Sequence, residues 1–581
     1  MEDRKMKKIL KNMIFATAFL SVAACSLKEE PTSFVNKHNF YQTAEQCKSA
    51  LNACYTPLNA IYVADFMIAV EACSDLWSSG SSAGDSSVDV SPSKPQVGAR
   101  VWENGYKGIV YCNEAIACIE RAPIADSVKG YLAAEGRVLR AMYYYLLTSM
   151  FDGVPYYTCM VDNYHVQDSI RVLPRTPADT IRARLYDDLR DNAIPYFTEE
   201  SGLKVRGGDA KDNRSGYAHG LMLMAKMAMW NACSQDKDAP KDAAYSREWF
   251  AKALVPLNAL EELYGDFTEA RYPLKETQWR YKNTAESIFE IQHAYSREGI
   301  RYHGNVAAIM MPKYDRDKDL FDGAHLTGYG TTLPNWNSLK ANNAYAMFRP
   351  EWGKKQDEST SGYSGKSVFD PLPLTYDMTG TYKDGAGKER WLTKIDLEAW
   401  EKKEIRGKKI DRRVEYAVGL GNFETGETFG ETKTWGVGWA GPKFWCPDME
   451  NTYDSNNYRI FRYADAILMK AEALANLEDQ ECVRYLNMVR ARAGVNDYEF
   501  VGFPEFLTFL YDERARELGG EFMRKFDLVR WGIWHEAIAK SQKAEVRAAL
   551  KCHRYYPIPD KQCALSNHAL SNPEYEANGL K

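Results

Sequence analysis

The chain lacks the short signatures that announce catalysis or nucleic-acid binding. It has no His-Glu-x-x-His pair and no Cys-x-x-Cys, and its nine histidines are scattered without metal-ligand spacing. Ser361 to Ser367 ends in Gly-Lys-Ser, but Thr360 stands where a phosphate loop needs its first glycine, and no strand precedes it. The formal net charge is −5, so the basic footprint of a nucleic-acid binder is missing. No apolar run reaches the roughly 20 residues of a membrane-spanning helix. Twelve cysteines are present, yet their spacings outline no disulfide framework. Cys54, Cys112, Cys118 and Cys233 fall on apolar helix faces and read as small buried hydrophobes.

What is present begins at the N-terminus. Arg4, Lys5, Lys7, Lys8 and Lys11 form a basic head, and Met13 to Ala24 a short, mostly apolar stretch. Val22-Ala23-Ala24-Cys25 then places small residues ahead of a cysteine. A basic region, a short apolar region and small residues at a cut site make an export signal. The cysteine completes a lipobox, so the expectation is cleavage before Cys25 and lipidation of Cys25. Two or more acyl chains hold a protein on a membrane stably, where one does so only reversibly. Removing residues 1–24 takes away five basic and two acidic residues and shifts the charge from −5 to −8. At 45% hydrophobic and 26% charged residues, the remainder is ordinary globular material.

Helical punctuation dominates the first half. Thr43-Ala44-Glu45-Gln46 has the form of a capping box, and Leu51, Cys54, Tyr55, Leu58 and Ile61 follow on one face. Further helices are predicted at about 101–121, at about 128–150, from Thr176-Pro177 onward, and at about 216–232 and 246–262. From about 265 to 455 the pattern changes: Gly, Tyr, Trp, Asp, Asn and Pro crowd together. Ile288 to Ile291 reads there as a short strand. Helical patterns return at Arg462 and continue at about 482–492, 504–518 and 521–540, before an irregular tail from Tyr555. Recurring helices at this interval imply antiparallel pairs stacked in a tetratricopeptide-like manner.

Two groups of residues invite a functional reading. Glu513, Glu517, Arg524, Asp527 and Arg530 cluster at helical spacing, with Glu472 and Arg490 similar in kind. Paired carboxylates can perform acid–base chemistry. Their neighbours Phe522, Phe526, Leu528 and Trp531 instead point to half-buried ion pairs between helices, because such a charge needs a partner. The second group is aromatic. Tyr and Trp offer rigid, apolar faces with a polar tip, which match the C–H faces and hydroxyl rims of sugars. They are informative in loops. Asp75-Leu76-Trp77, with the Ser/Gly stretch to Gly84, qualifies. So does the middle region with Trp279, Tyr281, Tyr295, Tyr302, His303, Tyr329 and Trp336. Asp75 and Trp77 are the leading ligand candidates, followed by Trp336 and Tyr302, then Tyr329 and Tyr295. Trp102 and Trp531 lie on helix stripes and belong to the core.

Several segments together resemble the SusD/RagB family of outer-membrane nutrient-binding lipoproteins. RYADAILMKAEALAN (462–476), LNMVRARAGV (486–495), DERARELGGEFMRKFDLVRWG (512–532) and YPIPDKQCALSNHALSNPEY (556–575) follow the family's order. AEGRVLRAMYYYLLTSMFDGVP (134–155) and RSGYAHGLMLMAKM (214–227) agree, while Gly136 and Gly519-Gly520 depart from the usual residues. The Ser26 to Glu30 patch resembles the acidic export signal of Bacteroidetes-type surface lipoproteins. The resemblance implies a mainly α fold with little β: a tetratricopeptide-like helix-pair scaffold carrying a loop-rich, irregular ligand-binding subdomain. The expected organisation is a signal peptide (1–24), a lipidated tether (25–40), an N-terminal helical scaffold (41–264) with a ligand-face loop at 73–100, a loop-rich aromatic insert (265–455), and C-terminal helices with a tail (456–581). It implies a non-enzymatic protein with no cofactor or metal. That protein would sit on the outer membrane by its lipid alone, face the exterior, bind oligosaccharides and deliver them to a SusC-like TonB-dependent barrel. A peptide-capturing subunit of such a transporter, or a helical-repeat adhesin or assembly protein, is the alternative.

Overall fold

The computed structural model describes residues 40–76, 89–294, 303–307, 413, 442–444, 446, 453–541 and 549–580, together with short strand segments at 78–79 and between 339 and 428. The described chain is mainly helical, in the tetratricopeptide-like form expected.

The first helix, α1 (Ala44–Ile61), opens on a complete capping box: Thr43 accepts from the Gln46 N–H and the Gln46 side chain accepts from the Thr43 N–H. Next come α2 (Ala64–Glu71), α3 (Val97–Arg121), α4 (Asp126–Phe151), α5 (Tyr164–Arg171), α6 (Ala178–Asn192), α7 (Tyr217–Ala232) and α8 (Ala243–Tyr264). After the middle region follow α9 (Tyr463–Asn476), α10 (Cys482–Arg492), α11 (Phe503–Leu518), α12 (Arg524–Arg530) and α13 (Trp534–Ser541), then short α14 (Asp560–Leu565) and α15 (Pro573–Ala577). The packing runs in chain order: α1 on α3, α3 on α4, α4 on α6, α6 on α7, α7 on α8. Helix α9 then packs on α8, and α10 and α11 on α9. The stack therefore continues across the middle region as though some 200 residues had not intervened. Strand β1 (Ser287–Ile291) pairs antiparallel with β2 (Tyr458–Arg462), tying the two ends of that excursion together at its neck. Both strands are buried throughout, and Tyr272 and Trp279 ahead of β1 belong to the same core.

Some elements differ from the sequence expectation, each for an identifiable reason. Helix α2 carries buried residues on every side, so it has no polar face and no periodicity to read. Helix α5 buries none of its residues. Thr176 does not cap α6. It is hydrogen-bonded in both directions to Val154, and the helix begins at Ala178. The single helix expected over 521–540 is two, α12 and α13, separated at Gly532, whose φ of +72° ends the first. The tail is not merely irregular: the Tyr556 N–H bonds Met150 O at 2.6 Å, and Asn572 bonds Ile558 in both directions.

The two departures from the family pattern have local causes. A Cβ on Gly136 of α4 would sit 2.8 Å from Ile116 Cγ1 of α3. Gly520 has φ +80°, and a Cβ there would meet Phe444 at 2.5 Å. Trp102 and Trp531 are core residues, as their helix stripes required. Cys54, Cys112 and Cys233 are buried and Cys118 half-buried, and the cysteines at all four positions are free thiols. Among the described residues, no single helix is long and apolar enough to cross a membrane.

Candidate functional site

The charged motif of the C-terminal third is a buried lattice of ion pairs. In its first part, Arg462 reaches Glu286 at 2.7 Å, Glu517 at 2.6 Å and Glu521 at 2.9 Å. Arg492 joins Glu286 at 2.8 Å and also pairs with Glu517. Glu513 is held by Arg413 at 2.7 Å and by Arg490 and Arg516 at 3.0 Å each. In its second part, Asp465 binds Arg514 at 2.9 Å and Lys226 at 2.5 Å, and Asp527 binds Arg514 and Arg530. Glu472 takes a two-pronged contact from Arg530 at 2.5 and 2.7 Å, plus the Trp531 indole N–H at 2.8 Å.

This geometry decides against acid–base work by the motif. Burial by itself pushes Glu513 upward, but Arg413, Arg516 and Arg490 outweigh it and hold the carboxyl at about 2. Glu517 and Asp527 are likewise driven below the usual carboxylate range, against burial, by the arginines around them. A general acid at neutral pH needs the opposite shift and access to substrate. These groups instead link α9, α10, α11 and α12 to β2, the interhelical pairing anticipated from their spacing.

The ligand candidates meet different fates. Asp75 is buried, and its two carboxylate oxygens receive the Arg524 guanidinium at 2.7 and 2.6 Å. It fixes the foot of the loop after α2 to α12, and its carboxylate does not project toward solvent. Next to it, Glu71 accepts the Met523 N–H at 3.1 Å and is pushed up to about 8 by burial. Cys25, Trp77, Tyr295, Tyr302, Tyr329 and Trp336 lie outside the described residues. Their neighbours are informative: segment 78–79, directly after Trp77, pairs antiparallel with segment 339–340, three residues beyond Trp336, in the register Ser78–Lys340 and Ser79–Leu339. The backbone thus brings together the two loop regions singled out for their rings. Trp279 is not part of that face. It is 1% exposed and packs against Phe444, Tyr458 and Phe522 in the core.

The described part of the insert's margin is a short strap, residues 303–307. Gly304 and Asp454 exchange backbone hydrogen bonds, the Tyr458 hydroxyl accepts from the Asn305 and Val306 N–H groups, and Asp454 accepts from Ala307 N–H. Asn305 in turn accepts from the Ala64 N–H at the start of α2. The His303 ring lies 3.7 Å from that of Tyr453, a tyrosine 41% exposed.

Sequence reasoning missed Tyr453, because a lone tyrosine in a polar stretch carries no pattern. It also missed Arg413 and Lys443, cations of the insert that enter the Glu513, Glu517 and Glu521 cluster. Against the expectation that the chain holds no Gly-x-Ser-x-Gly elbow, Gly80-Ser81-Ser82-Ala83-Gly84 spells that string and lies outside the described residues. A nucleophile elbow needs its serine on a turn leading straight into a helix. Among the described residues, the next helix, α3, starts at Val97.

The arrangement is that of a stacked helix-pair scaffold whose loops gather at one excursion from the stack. Residues 447–575 match the SusD family model. SusD-like protein P25 of Formosa agariphila is 23% identical over 561 residues, covering 90% of each chain. Among solved structures, surface glycan-binding protein A of Bacteroides uniformis superposes with a TM-score of 0.60 at 19% identity, over 91% of this chain and 99% of that one. The counterpart from Bacteroides thetaiotaomicron, solved in complex with laminarihexaose, gives 0.55 at 17% identity over 91% and 98%. Together these likenesses support the SusD/RagB family for this chain.

Proposed function

We propose that this protein is a non-catalytic, surface-exposed glycan-binding lipoprotein. It is held on the outer membrane through Cys25 and passes oligosaccharides to a SusC-like TonB-dependent barrel. Trp77, Trp336, Tyr302, Tyr329 and Tyr295 contact the ligand, while Asp75 positions the loop that carries Trp77. The observation that supports this reading is the antiparallel pairing of 78–79 with 339–340, because it brings the backbone directly after Trp77 beside the backbone three residues beyond Trp336. Ring faces bind sugars with little loss of conformational entropy, which suits capture without bond cleavage. The family match and the glycan-binding names of similar structures support the same conclusion. The pairing of every motif carboxylate named above supports a role without turnover.

The test is calorimetry of the mature chain against a panel of oligosaccharides and a peptide digest, with chromatography of the ligand afterwards. An oligosaccharide should bind, remain intact, and lose most of its affinity for a Trp77→Ala/Trp336→Ala variant. Binding of peptides alone, or release of new reducing ends, would overturn the proposal.

A further inference from the structure

A second feature lies beside β1. A cleft of about 390 Å³ opens between α1, the turn at 211–213 and the end of β1 through Ala294. That volume falls within the roughly 300–1,000 Å³ of small-molecule sites. Its floor is fixed. The Tyr55 hydroxyl donates to Glu135 at 2.5 Å and accepts the Ser215 N–H at 2.7 Å. Arg214 closes the set, donating to Glu135 at 2.9 Å and to the Asn52 side-chain Oδ1 at 2.7 Å.

Except for Asp212, the charges lining the cleft are paired. Arg214 is neutralised by Glu135, and Glu290 is engaged by Arg459, Ser287 and Asn457. His293 bonds Asn456 O and stays neutral, since burial pulls it down to about 4. What remains toward the opening is mostly uncharged. Thr56 and Asn59, one helical turn apart with Asn52 on the same face of α1, have side chains without a hydrogen-bond partner among the described residues. Across from them stand Asp212 and Asn213, both exposed and both left-handed, with φ of +57° and +54°. Two successive non-glycine residues in that conformation store backbone strain of the kind that gathers at ligand-contacting turns.

Amides, one hydroxyl and one carboxylate, converging on an open cleft with no unpaired cation among the described residues, suit a neutral polyhydroxylated ligand. Asp212 can accept from two vicinal hydroxyls, the amides can donate and accept, and an anionic sugar meets a net negative rim. We infer that this cleft is a second saccharide site, resting on the glycan reading above, which takes a neutral sugar residue by hydrogen bonding and without ring stacking. It is separate in sequence from the Trp77 and Trp336 loops, so the two can be tested apart.

The experiment is saturation-transfer NMR on the mature chain with laminaribiose, cellobiose, maltose and digalacturonate, and titration with the longer neutral oligosaccharide that binds best. The variants are Asn59→Ala/Asp212→Gly, Thr56→Val and Trp77→Ala/Trp336→Ala. Glycine at 212 accepts the φ of +57°, and residues 56 and 59 are on the solvent side of α1, so the fold is kept. A neutral disaccharide signal that survives the Trp double variant and falls about fivefold or more in Asn59→Ala/Asp212→Gly, with a smaller loss in Thr56→Val, supports the site. If cleft variants leave every neutral ligand unchanged while the Trp variant abolishes binding, the cleft is refuted and the loop reading stands. Equal binding of digalacturonate refutes the neutral class. No saccharide binding by the unaltered protein refutes both.

Discussion

The Asp75–Arg524 pair separates a structural role from a ligand role in one experiment. Both carboxylate oxygens face the guanidinium at 2.6–2.7 Å, and the two side chains are only 11% and 5% exposed. Removing one member of a buried pair strands the other charge, at a cost of about 3–5 kcal/mol. Arg524 keeps other support, a hydrogen bond to Tyr511 O and a place over the Trp531 ring, so the low end applies to Asp75→Ala, about 3 kcal/mol. Unfolding entropy of ~2.1 cal/mol/K for each of 581 residues gives ~1.2 kcal/mol/K, so 3 kcal/mol lowers Tm by about 2–3 °C. Arg524→Ala should do the same or more. The double variant should fall short of the sum of the singles by about 2 kcal/mol, because the second loss no longer strands a charge. Denaturant titration and calorimetric melting of the four proteins supply the cycle, and glycan titration runs beside it. An Asp75→Ala protein with unchanged melting and lost binding, alongside an Arg524→Ala protein with binding intact, would refute the assignment and return Asp75 to the ligand face.

Other outcomes follow from the same structure. Glu71 is held at about 8 and Asp454 at about 7, both raised mainly by burial, so their contribution is fully present below the unfolded carboxylate value of about 4.5 and is lost as pH rises through 7 to 8. Denaturation midpoints should therefore fall between pH 5 and 9, and Glu71→Gln should flatten that slope; an unchanged slope counts against a buried neutral Glu71. Glu513 and Glu517 have the opposite sign: their contribution is present above about 4.5 and disappears as pH falls through about 2, so acid unfolding should begin in that window and start earlier in Arg413→Ala. Gly108→Ala places a Cβ 2.2 Å from the fully buried Tyr143 ring and should cost about 1–3 kcal/mol by overpacking α3 against α4, read from the melting midpoint.

The helical body was legible in the sequence because its signals are local. The Thr43 capping box and the stripes of α3, α4 and α9 are spelled within a few turns, and each appears where its period placed it. Helix α2 left no such trace, since a segment surrounded by core has no polar side to set a period. The charged motif could be read as scaffold from its apolar neighbours, but not its partners: Glu286 lies more than 170 residues from Arg462, and Arg413 about 100 from Glu513. Asp75 and Trp279 show the limit for the site. An acidic residue and a ring in loop-like sequence suited a sugar, and only long-range contacts reveal that Arg524 holds the one and the Phe444–Phe522 cluster encloses the other.

The entry of Arg413 and Lys443 into the carboxylates of α11 and its following turn has a consequence for engineering. The excursion between α8 and α9 is riveted to the scaffold by cations of its own, not merely spliced into it. A chimera that imports another relative's loops must bring a guanidinium and an ammonium to those same two sockets, or it leaves sealed-in acidic side chains with only the scaffold arginines to balance them. Swapping recognition between relatives is thus a matter of exchanging the rim while keeping these two rivets.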